Sequence, residues 1–306
     1  MIGKLPDGNS SLDEYKPFAT VDFIVTDLDG TLTVGSTPVL EQIKNKIAHL
    51  RRLGVNTTVA TGRTYAGARE LIDELQIEDG MPIVLYNGGV LVEHNRDNII
   101  AMCTIPYDAV ENILKIVGND RAGIYIYTYG ISGNDFRDLL NLNYINEKVY
   151  YTGHRKVLVD VNGTQVCSID MDQIKEQNVV SILLQRNELT HQEIERLYGA
   201  FKEDAYVDFT DSGSGFVEIK GAAQNKSVII TELKKGERAI KYSADRILAI
   251  GDNDNDSDLL EVADISVAVA NSSEKAINKA DYVCENENAK GFLDMLTVIE
   301  RAKHFL

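Results

Sequence analysis

Apolar and polar residues alternate in blocks through the first part of the chain. Three short runs of aliphatic and β-branched residues predict buried strands, and two longer segments with apolar residues every three or four positions predict helices. Thr37 and Pro38 are expected to open the first helix, and Thr64 the second. In chain order, these segments are residues 21–26, 37–54, 55–60, 64–75 and 83–86. The alternation of strand and helix is typical of a doubly wound, parallel sheet.

The pattern changes after Gly89. Residues 90–105 predict a β-hairpin, and later apolar runs, among them 157–159, predict further strands interspersed with helices. Tyrosines are concentrated in this part of the chain. They could contact a ligand, although packing between strands explains them more simply.

The strand–helix rhythm returns from residue 214, beginning with a predicted strand at 216–219. We therefore predict an α/β protein with a doubly wound, mostly parallel, Rossmann-like core sheet and an inserted α+β cap domain. The predicted core domain is 1–89 and 212–306, its first 20 residues being an extension without periodicity, and the predicted cap is 90–211.

Composition narrows the classes of partner. The chain has 306 residues and a net charge of −16, which disfavours non-specific binding to nucleic acid or to an anionic membrane. Its three scattered cysteines predict a reducing, cytoplasmic environment without a structural zinc or a disulfide frame. We find no run that resembles a membrane span and no sign of an obligate protein partner.

Two carboxylates follow the first predicted strand. Asp27 and Asp29 precede Gly30, which permits a tight turn. Carboxylates that converge on one cavity repel each other unless a cation lies between them, and Mg²⁺ prefers such oxygen ligands. An acidic turn after an edge strand is the alternative explanation.

A second acidic cluster spans residues 252–258. Its alternating aspartates resemble a Ca²⁺-binding EF-hand loop, but Ser257 and Ala263 occupy the positions that require Gly and Glu. The cluster predicts an acidic loop between a buried strand and a helix. A metal site and a solvated helix cap are both compatible with this loop.

The polar clusters fall at strand ends and helix starts, where open α/β sheets bind their ligands. Together they offer a carboxylate nucleophile, a hydroxyl donor, a cation and metal ligands, which phosphoryl transfer requires. The sequence contains no ATP-binding P-loop and no dinucleotide-binding glycine motif after a strand. The contributing residues are Asp27, Asp29, Thr61, Gly62, Lys226, Asp252 and Asp256.

These motifs, in this order, resemble the haloacid-dehalogenase-like (HAD) superfamily, and specifically its Cof-type branch with a type IIB cap. The resemblance runs from about residue 20 to the C-terminus, and it rests on the pairing of Asp-x-Asp-Gly-Thr with Gly-Asp-x-x-Asn-Asp. The matching segments are Asp27–Leu32, Thr61–Arg63, Asn87–Gly89, Lys226 and Gly251–Asp256. Asn253 and the Ala270-Asn271-Ser272 segment depart from the usual pattern, and both lie beside the site rather than among the reacting groups.

The resemblance implies a role for each matching residue. Asp27 would attack phosphorus, Asp29 would act as the general acid and base, and Lys226 would neutralise charge. Mg²⁺ would be held by Asp27, the Asp29 carbonyl, Asp252 and Asp256, the last directly or through water. The implied substrate-binding residues are Gly30, Thr61, Gly62, Arg63 and Asn255, although Arg63 could instead pair only with nearby carboxylates.

The expected function is that of a Mg²⁺-dependent phosphatase acting on a small phosphorylated metabolite, with a sugar phosphate as the favoured class. The cap would close over the site and select the leaving group. A phosphotransferase or phosphomutase of the same fold is one alternative, and a non-catalytic regulatory protein that binds a phosphorylated metabolite is another.

Overall fold

The computed structural model describes residues 2–35, 37–95, 98–118, 123–131, 145–152, 164–202, 204–211, 215–242 and 244–305. In chain order the strands are β1 Gly3–Lys4, β2 Phe23–Thr26, β3 Asn56–Val59, β4 Pro82–Leu85, β5 Val90–Glu93, β6 Ile99–Met102, β7 Ile124–Ile131, β8 Ile145–Thr152, β9 Gln165–Ser168, β10 Val179–Gln185, β11 Val207–Asp211, β12 Phe216–Gly221, β13 Ile247–Gly251, β14 Ile265–Ala268 and β15 Tyr282–Val283. The helices are α1 Leu12–Ala19, α2 Glu41–Arg52, α3 Tyr65–Glu74, α4 Tyr107–Val117, α5 Met171–Lys175, α6 His191–Phe201, α7 Val228–Leu233, α8 Gly236–Tyr242, α9 Ser257–Val262, α10 Glu274–Lys279 and α11 Asn288–Lys303.

The chain divides into two compact units. The first unit comprises Met1–Thr61, Arg69–Asn87 and Asn225–Leu306. The second unit comprises Gly62–Ala68 and Gly88–Gln224. Both are therefore discontinuous in sequence.

A parallel sheet forms the centre of the first unit. Its strand order is β1-β15-β14-β13-β2-β3, and each neighbouring pair is parallel. A parallel bridge between Ala60 and Val84 continues the pairing towards β4. All four residues of β2 are buried, as expected for a strand covered on both faces. The predicted α/β fold with a mostly parallel core sheet is confirmed.

The second unit contains a separate, largely antiparallel sheet. Its order is β11-β12-β10-β7-β8-β9, with only β8 and β9 running parallel. Strands β5 and β6 form an antiparallel pair, as the hairpin pattern predicts. Apolar residues from alternate positions of the sheet strands, such as Ile124, Ile126 and Ile182, share one buried core with helix residues such as Val110 and Leu197.

Strand β12 differs from its predicted place. From its position after residue 212 it was predicted to belong to the core domain, but β12 lies between β10 and β11 in the second sheet. A short buried strand has the same pattern in either sheet, so its partners cannot be identified from local sequence. The division into a catalytic core and a cap at residues 90 and 211 stays a prediction.

The N-terminal extension also differs from expectation, because it forms β1 and α1. Ser11 and Glu14 cap this helix through a hydrogen bond from the Ser11 amide to Glu14 Oε1 at 2.7 Å. The predicted helix start at Thr37 is wrong. Thr37 Oγ1 accepts a hydrogen bond from the Val34 amide at 3.1 Å in a turn, and α2 begins at Glu41. The strand predicted at 157–159 lies outside the described residues.

Candidate active site

The carboxyl ends of two adjacent parallel strands bring the two acidic clusters together. Strand β2 ends at Thr26, which pairs with Ile250 of β13. The Asp27 amide donates to the Ile250 carbonyl at 3.1 Å, so Asp27 lies directly after the last paired residues of the two strands. Asp252 directly follows β13 in the same way. Segments more than two hundred residues apart thereby meet at one sheet edge.

Lys226 is the positive charge of this cluster. It precedes α7, and its side chain is fully buried. Its Nζ donates to Asp27 Oδ1 at 2.6 Å and to Asp256 Oδ1 at 2.7 Å. Burial alone would lower the pKa of Lys226, but the charges of Asp256 and Asp27 outweigh that effect and raise it. The ammonium group therefore keeps its proton and binds both carboxylates.

Asp256 uses both carboxylate oxygens to organise the loop after β13. Oδ1 accepts from Lys226, and Oδ2 accepts from the backbone amides of Asp252 and Asn253 at 3.0 Å each. The side chain is fully buried, which its complete set of hydrogen bonds permits. A Cβ atom at position 251 would lie 2.6 Å from Asp256 Cβ, so the close approach requires Gly251.

Asp252 faces the turn that follows Asp27. Its Oδ1 accepts a hydrogen bond from Thr31 Oγ1 at 2.9 Å. Burial, reinforced by the charge of Asp256, raises the pKa of Asp252 to about 6. Gly30 has φ +88°, and a Cβ there would collide with Asp252 Oδ2. Gly30 therefore allows its turn to approach Asp252 closely. Its own amide donates to the Thr33 carbonyl at 2.7 Å within the turn.

The donor set fits a hard divalent cation. Asp27, Asp252 and Asp256 offer carboxylate oxygens that all lie within 4.8 Å of one another. Burial and the charges of Asp256 and Asp252 raise the pKa of Asp27 against the opposing effect of Lys226. Three carboxylates around one ammonium leave an excess of negative charge, which a cation with oxygen ligands would neutralise. The Asp29 side chain is exposed beside this group.

The predicted substrate-binding residues are divided between the units. Thr61 is buried in the first unit, where its amide donates to the Val84 carbonyl at 3.0 Å. Gly62 and Arg63 belong to the second unit, where Arg63 Nη1 donates to the Gly67 carbonyl at 3.0 Å. Asn255 belongs to the first unit.

Asn255 and Asn87 form a polar pair in the first unit. Asn255 Nδ2 donates to Asn87 Oδ1 at 2.9 Å. The Asn255 Oδ1 atom is buried without a hydrogen-bond partner. A buried acceptor of this kind is costly unless a ligand or water satisfies it. The pair therefore marks a place where a polar ligand would be stabilised.

Three polar residues at the site, Thr31, Asn87 and Asn271, were not predicted from the sequence. Thr31 binds Asp252, and Asn271 Nδ2 donates to the Gly30 carbonyl at 3.0 Å. The Asn271 Oδ1 atom also accepts from the Asn288 amide at 2.8 Å, which ties the Gly30 turn to the start of α11. Each of the three lies in one of the motif segments named above. Its position beside a glycine turn or at a strand end is the sequence feature that could have identified it as a site residue.

Comparison with known proteins identifies the family. The sequence profile described as haloacid dehalogenase-like hydrolase matches residues 24–296. The chain belongs to this family. The Cof-type HAD resemblance drawn from the motifs is therefore confirmed.

Several curated relatives of this HAD-like hydrolase are phosphatases. The 5-amino-6-(5-phospho-D-ribitylamino)uracil phosphatase YitU of Bacillus subtilis is 26% identical over 268 residues, covering 84% of this chain and 88% of that protein. The phosphoglycolate phosphatase of Methanopyrus kandleri is 22% identical over 274 residues, covering 89% and 94%. Together with the family match, these relatives identify an enzyme, a phosphoric monoester hydrolase.

Solved structures share the fold of this HAD-like hydrolase. A haloacid dehalogenase-like hydrolase from Bacteroides thetaiotaomicron aligns with a TM-score of 0.69 at 19% identity, covering 94% of this chain and 100% of that one. TM0651 from Thermotoga maritima aligns with a TM-score of 0.65 at 20% identity, covering 92% and 97%.

Within the described part of the chain, no helix combines the length and the apolar character needed to cross a membrane.

Proposed function

We propose that this phosphatase hydrolyses a small phosphorylated metabolite of the sugar-phosphate class, with Mg²⁺, through an aspartyl-phosphate intermediate on Asp27. The observation that carries the proposal is the buried cluster in which Lys226 binds Asp27 and Asp256, with Asp252 beside them. A nucleophile, a fixed cation and a set of oxygen ligands are the groups that phosphoryl transfer requires.

Asp27 is the proposed nucleophile. A carboxylate oxygen of Asp27 attacks phosphorus, and the bond to the leaving alcohol breaks as the aspartyl phosphate forms. Lys226, held at 2.6 Å, favours the ionised form of Asp27 against the effects of burial and of the neighbouring carboxylates, orients it, and stabilises negative charge on the transferring group. Asp29 protonates the leaving oxygen and then deprotonates the water that hydrolyses the intermediate. Its exposed side chain is compatible with proton exchange.

Asp27, the Asp29 carbonyl and Asp252 are the proposed ligands of Mg²⁺. When bound, the cation supplies Lewis-acid stabilisation of the phosphate oxygens. Asp256 already uses both oxygens on Lys226 and two backbone amides, which favours an indirect contribution through the loop that holds Asp252. Thr31 orients Asp252 from the other side.

The substrate class is inferred from the relatives and from the site. The Bacillus subtilis and Methanopyrus kandleri phosphatases are named after phosphate esters of small molecules. The substrate in the name of the Bacillus subtilis enzyme carries a phosphorylated ribityl chain. Thr61, Gly62 and Arg63 are proposed to bind the phosphate. Asn255 is proposed to bind a hydroxyl group of the substrate, since its Nδ2 already donates to Asn87 and its unsatisfied Oδ1 accepts hydrogen bonds.

Substitution Asp27→Asn tests the nucleophile. We expect the variant to fold and its kcat for p-nitrophenyl phosphate to fall by about 10³-fold or more, because an amide cannot form the acyl phosphate. Asp258→Asn, the same change at an exposed aspartate in the first turn of α9, should leave kcat unchanged. Appreciable turnover by the folded Asp27→Asn protein would refute the assignment.

Removal of divalent cations tests the metal. Phosphate release should require added Mg²⁺, stop with EDTA and return when excess Mg²⁺ is supplied. A screen of sugar phosphates and other phosphorylated metabolites then tests the substrate class. Full activity in EDTA would reject the metal, and turnover confined to phosphorylated proteins or nucleic acids would reject the class.

A further inference from the structure

A buried glutamate of the second sheet holds the amino end of helix α3. Glu147 lies on β8 and is only 7% exposed. Its Oε1 accepts from the Tyr65 amide at 2.6 Å, and its Oε2 accepts from the Ala66 amide at 2.9 Å. These are the first two residues of α3, and both belong to the second unit, as Glu147 does.

The contact completes the hydrogen bonding at this helix end. The first amides of a helix have no partner within the helix. Thr64 Oγ1 accepts from the Gly67 amide at 2.9 Å, which leaves the preceding two amides to Glu147. A carboxylate at the positive end of a helix is favourable, and a buried one requires such partners.

The side chain of Tyr65 is anchored in the same unit. Its hydroxyl lies 3.2 Å from His94 Nδ1 and donates to Asn95 Oδ1 at 3.1 Å. Tyr129 stands opposite Glu147 in the β7–β8 pairing. Tyr65 is therefore fixed through both its backbone and its ring.

We propose that Glu147 is a positioning residue that fixes Gly62 and Arg63, two of the residues to which the proposed function assigns phosphate binding. Arg63 lies two residues before Tyr65, and Thr64 alone separates them. With so short a connection, fraying of the first turn of α3 displaces the Arg63 backbone directly. The inference rests on the proposed function, because it concerns that same phosphate site.

Calorimetric titration with inorganic phosphate in the presence of Mg²⁺ tests the role of Glu147. We expect Glu147→Ala to raise the dissociation constant for phosphate about 5- to 10-fold, as expected when a helix cap is lost. Glu147→Gln keeps one acceptor oxygen and should lie between this variant and the wild-type protein. The KM for p-nitrophenyl phosphate should rise in the same order.

Glu193→Ala is the matched control. Glu193 also caps a helix of the second unit, since its Oε2 accepts from the Thr190 amide at 2.7 Å. We expect both alanine variants to lower Tm, but only Glu147→Ala to weaken phosphate binding. Equal losses of Tm with unchanged phosphate affinity would show that Glu147 is merely structural. If Glu147→Ala does not fold, the phosphate affinity of Glu147→Gln is compared with that of the wild-type protein instead. An unchanged affinity would again show that Glu147 is merely structural.

The two proposals fail differently. Unchanged phosphate affinity in the Glu147 variants overturns the positioning role alone. A wild-type protein that binds phosphate but hydrolyses no phosphate ester overturns the proposed function alone. Absence of phosphate binding by the wild-type protein overturns both.

Discussion

At the residue scale, the site depends on how closely two loops approach each other. Gly30 and Gly251 both lie where a side chain would collide with an aspartate of the cluster. The carboxylates can converge because these two positions carry no Cβ. Small residues at the turns are therefore as necessary to the arrangement as the charged groups themselves.

Substitution Gly30→Ala tests this requirement. We expect a several-fold rise in the Mg²⁺ concentration for half-maximal activity, because a Cβ would displace the Asp252 carboxylate. Gly35→Ala is the matched control, since Gly35 also has positive φ but nothing lies within 4 Å of its added Cβ. If both variants change the Mg²⁺ requirement equally, backbone strain rather than collision with Asp252 is responsible.

The main charged residues of the site were predictable from sequence, but their exact partners were not. Asp27, Lys226 and Asp252 stand in recognisable motifs at strand ends and helix starts, and the structure brings them together. The bond from Thr31 to Asp252 joins positions 221 residues apart, and no local pattern encodes such a pair. Glu147 was missed because an isolated glutamate in a strand resembles a solvated one.

At the element scale, Asp264 joins strand β13 to the end of helix α7. Its Oδ2 accepts from the Ile247 amide at 2.8 Å and from Lys234 Nζ at 2.7 Å. Burial alone would raise the pKa of Asp264, but the hydrogen bonds from Lys234 and Ile247 hold it below its usual range. The ionised carboxylate thus contributes to folding.

The stability of Asp264→Asn should depend on pH. At pH 7 we expect the variant to lose about 1 kcal/mol of unfolding free energy, the typical net contribution of a hydrogen bond, because solvent screens this partly exposed ion pair. A lowered folded-state pKa gives stability that is present above the unfolded pKa and disappears as pH falls through the folded value. Urea denaturation should therefore show the two proteins converging below about pH 4. A gap that stays constant with pH would contradict this.

The elements were predicted unevenly, for physical reasons. Strands β2 and β13 are largely apolar, fully buried and lie inside the parallel sheet, so their patterns are strong. Helix α1 was missed although Tyr15, Phe18 and Ala19 are buried at helical spacing, because Pro17 within it argues against a helix. Strand β12 was recognised but assigned to the wrong sheet, since sheet membership depends on distant partners.

At the scale of the whole molecule, the N-terminal segment is part of the first unit although the family match begins only at residue 24. Strand β1 pairs with β15, and Phe18 is fully buried with its ring centroid 4.9 Å from that of Tyr282. The Tyr15 hydroxyl donates to the Asp7 carbonyl at 2.7 Å. The segment thus adds both a strand and a helix to the first unit.

Substitution Phe18→Ala tests how much this segment contributes. We expect a loss of about 3–5 kcal/mol of unfolding free energy, typical of an aromatic residue removed from a core. Leu12→Ala, on the same helix but 60% exposed, should change stability little. Deletion of residues 2–20 should lower Tm further, measured by calorimetry. Equal effects of Phe18→Ala and Leu12→Ala would show that α1 is not packed as described.

The shortness of β1 and β15 has a consequence for behaviour at high concentration. Each contains two residues, so this edge of the parallel sheet offers very few backbone groups to which a strand of a neighbouring molecule could hydrogen-bond. Long, flat margins are the usual templates for fibril growth. This edge of the sheet is too short to act as such a template, which helps to prevent separate molecules from pairing through their strands.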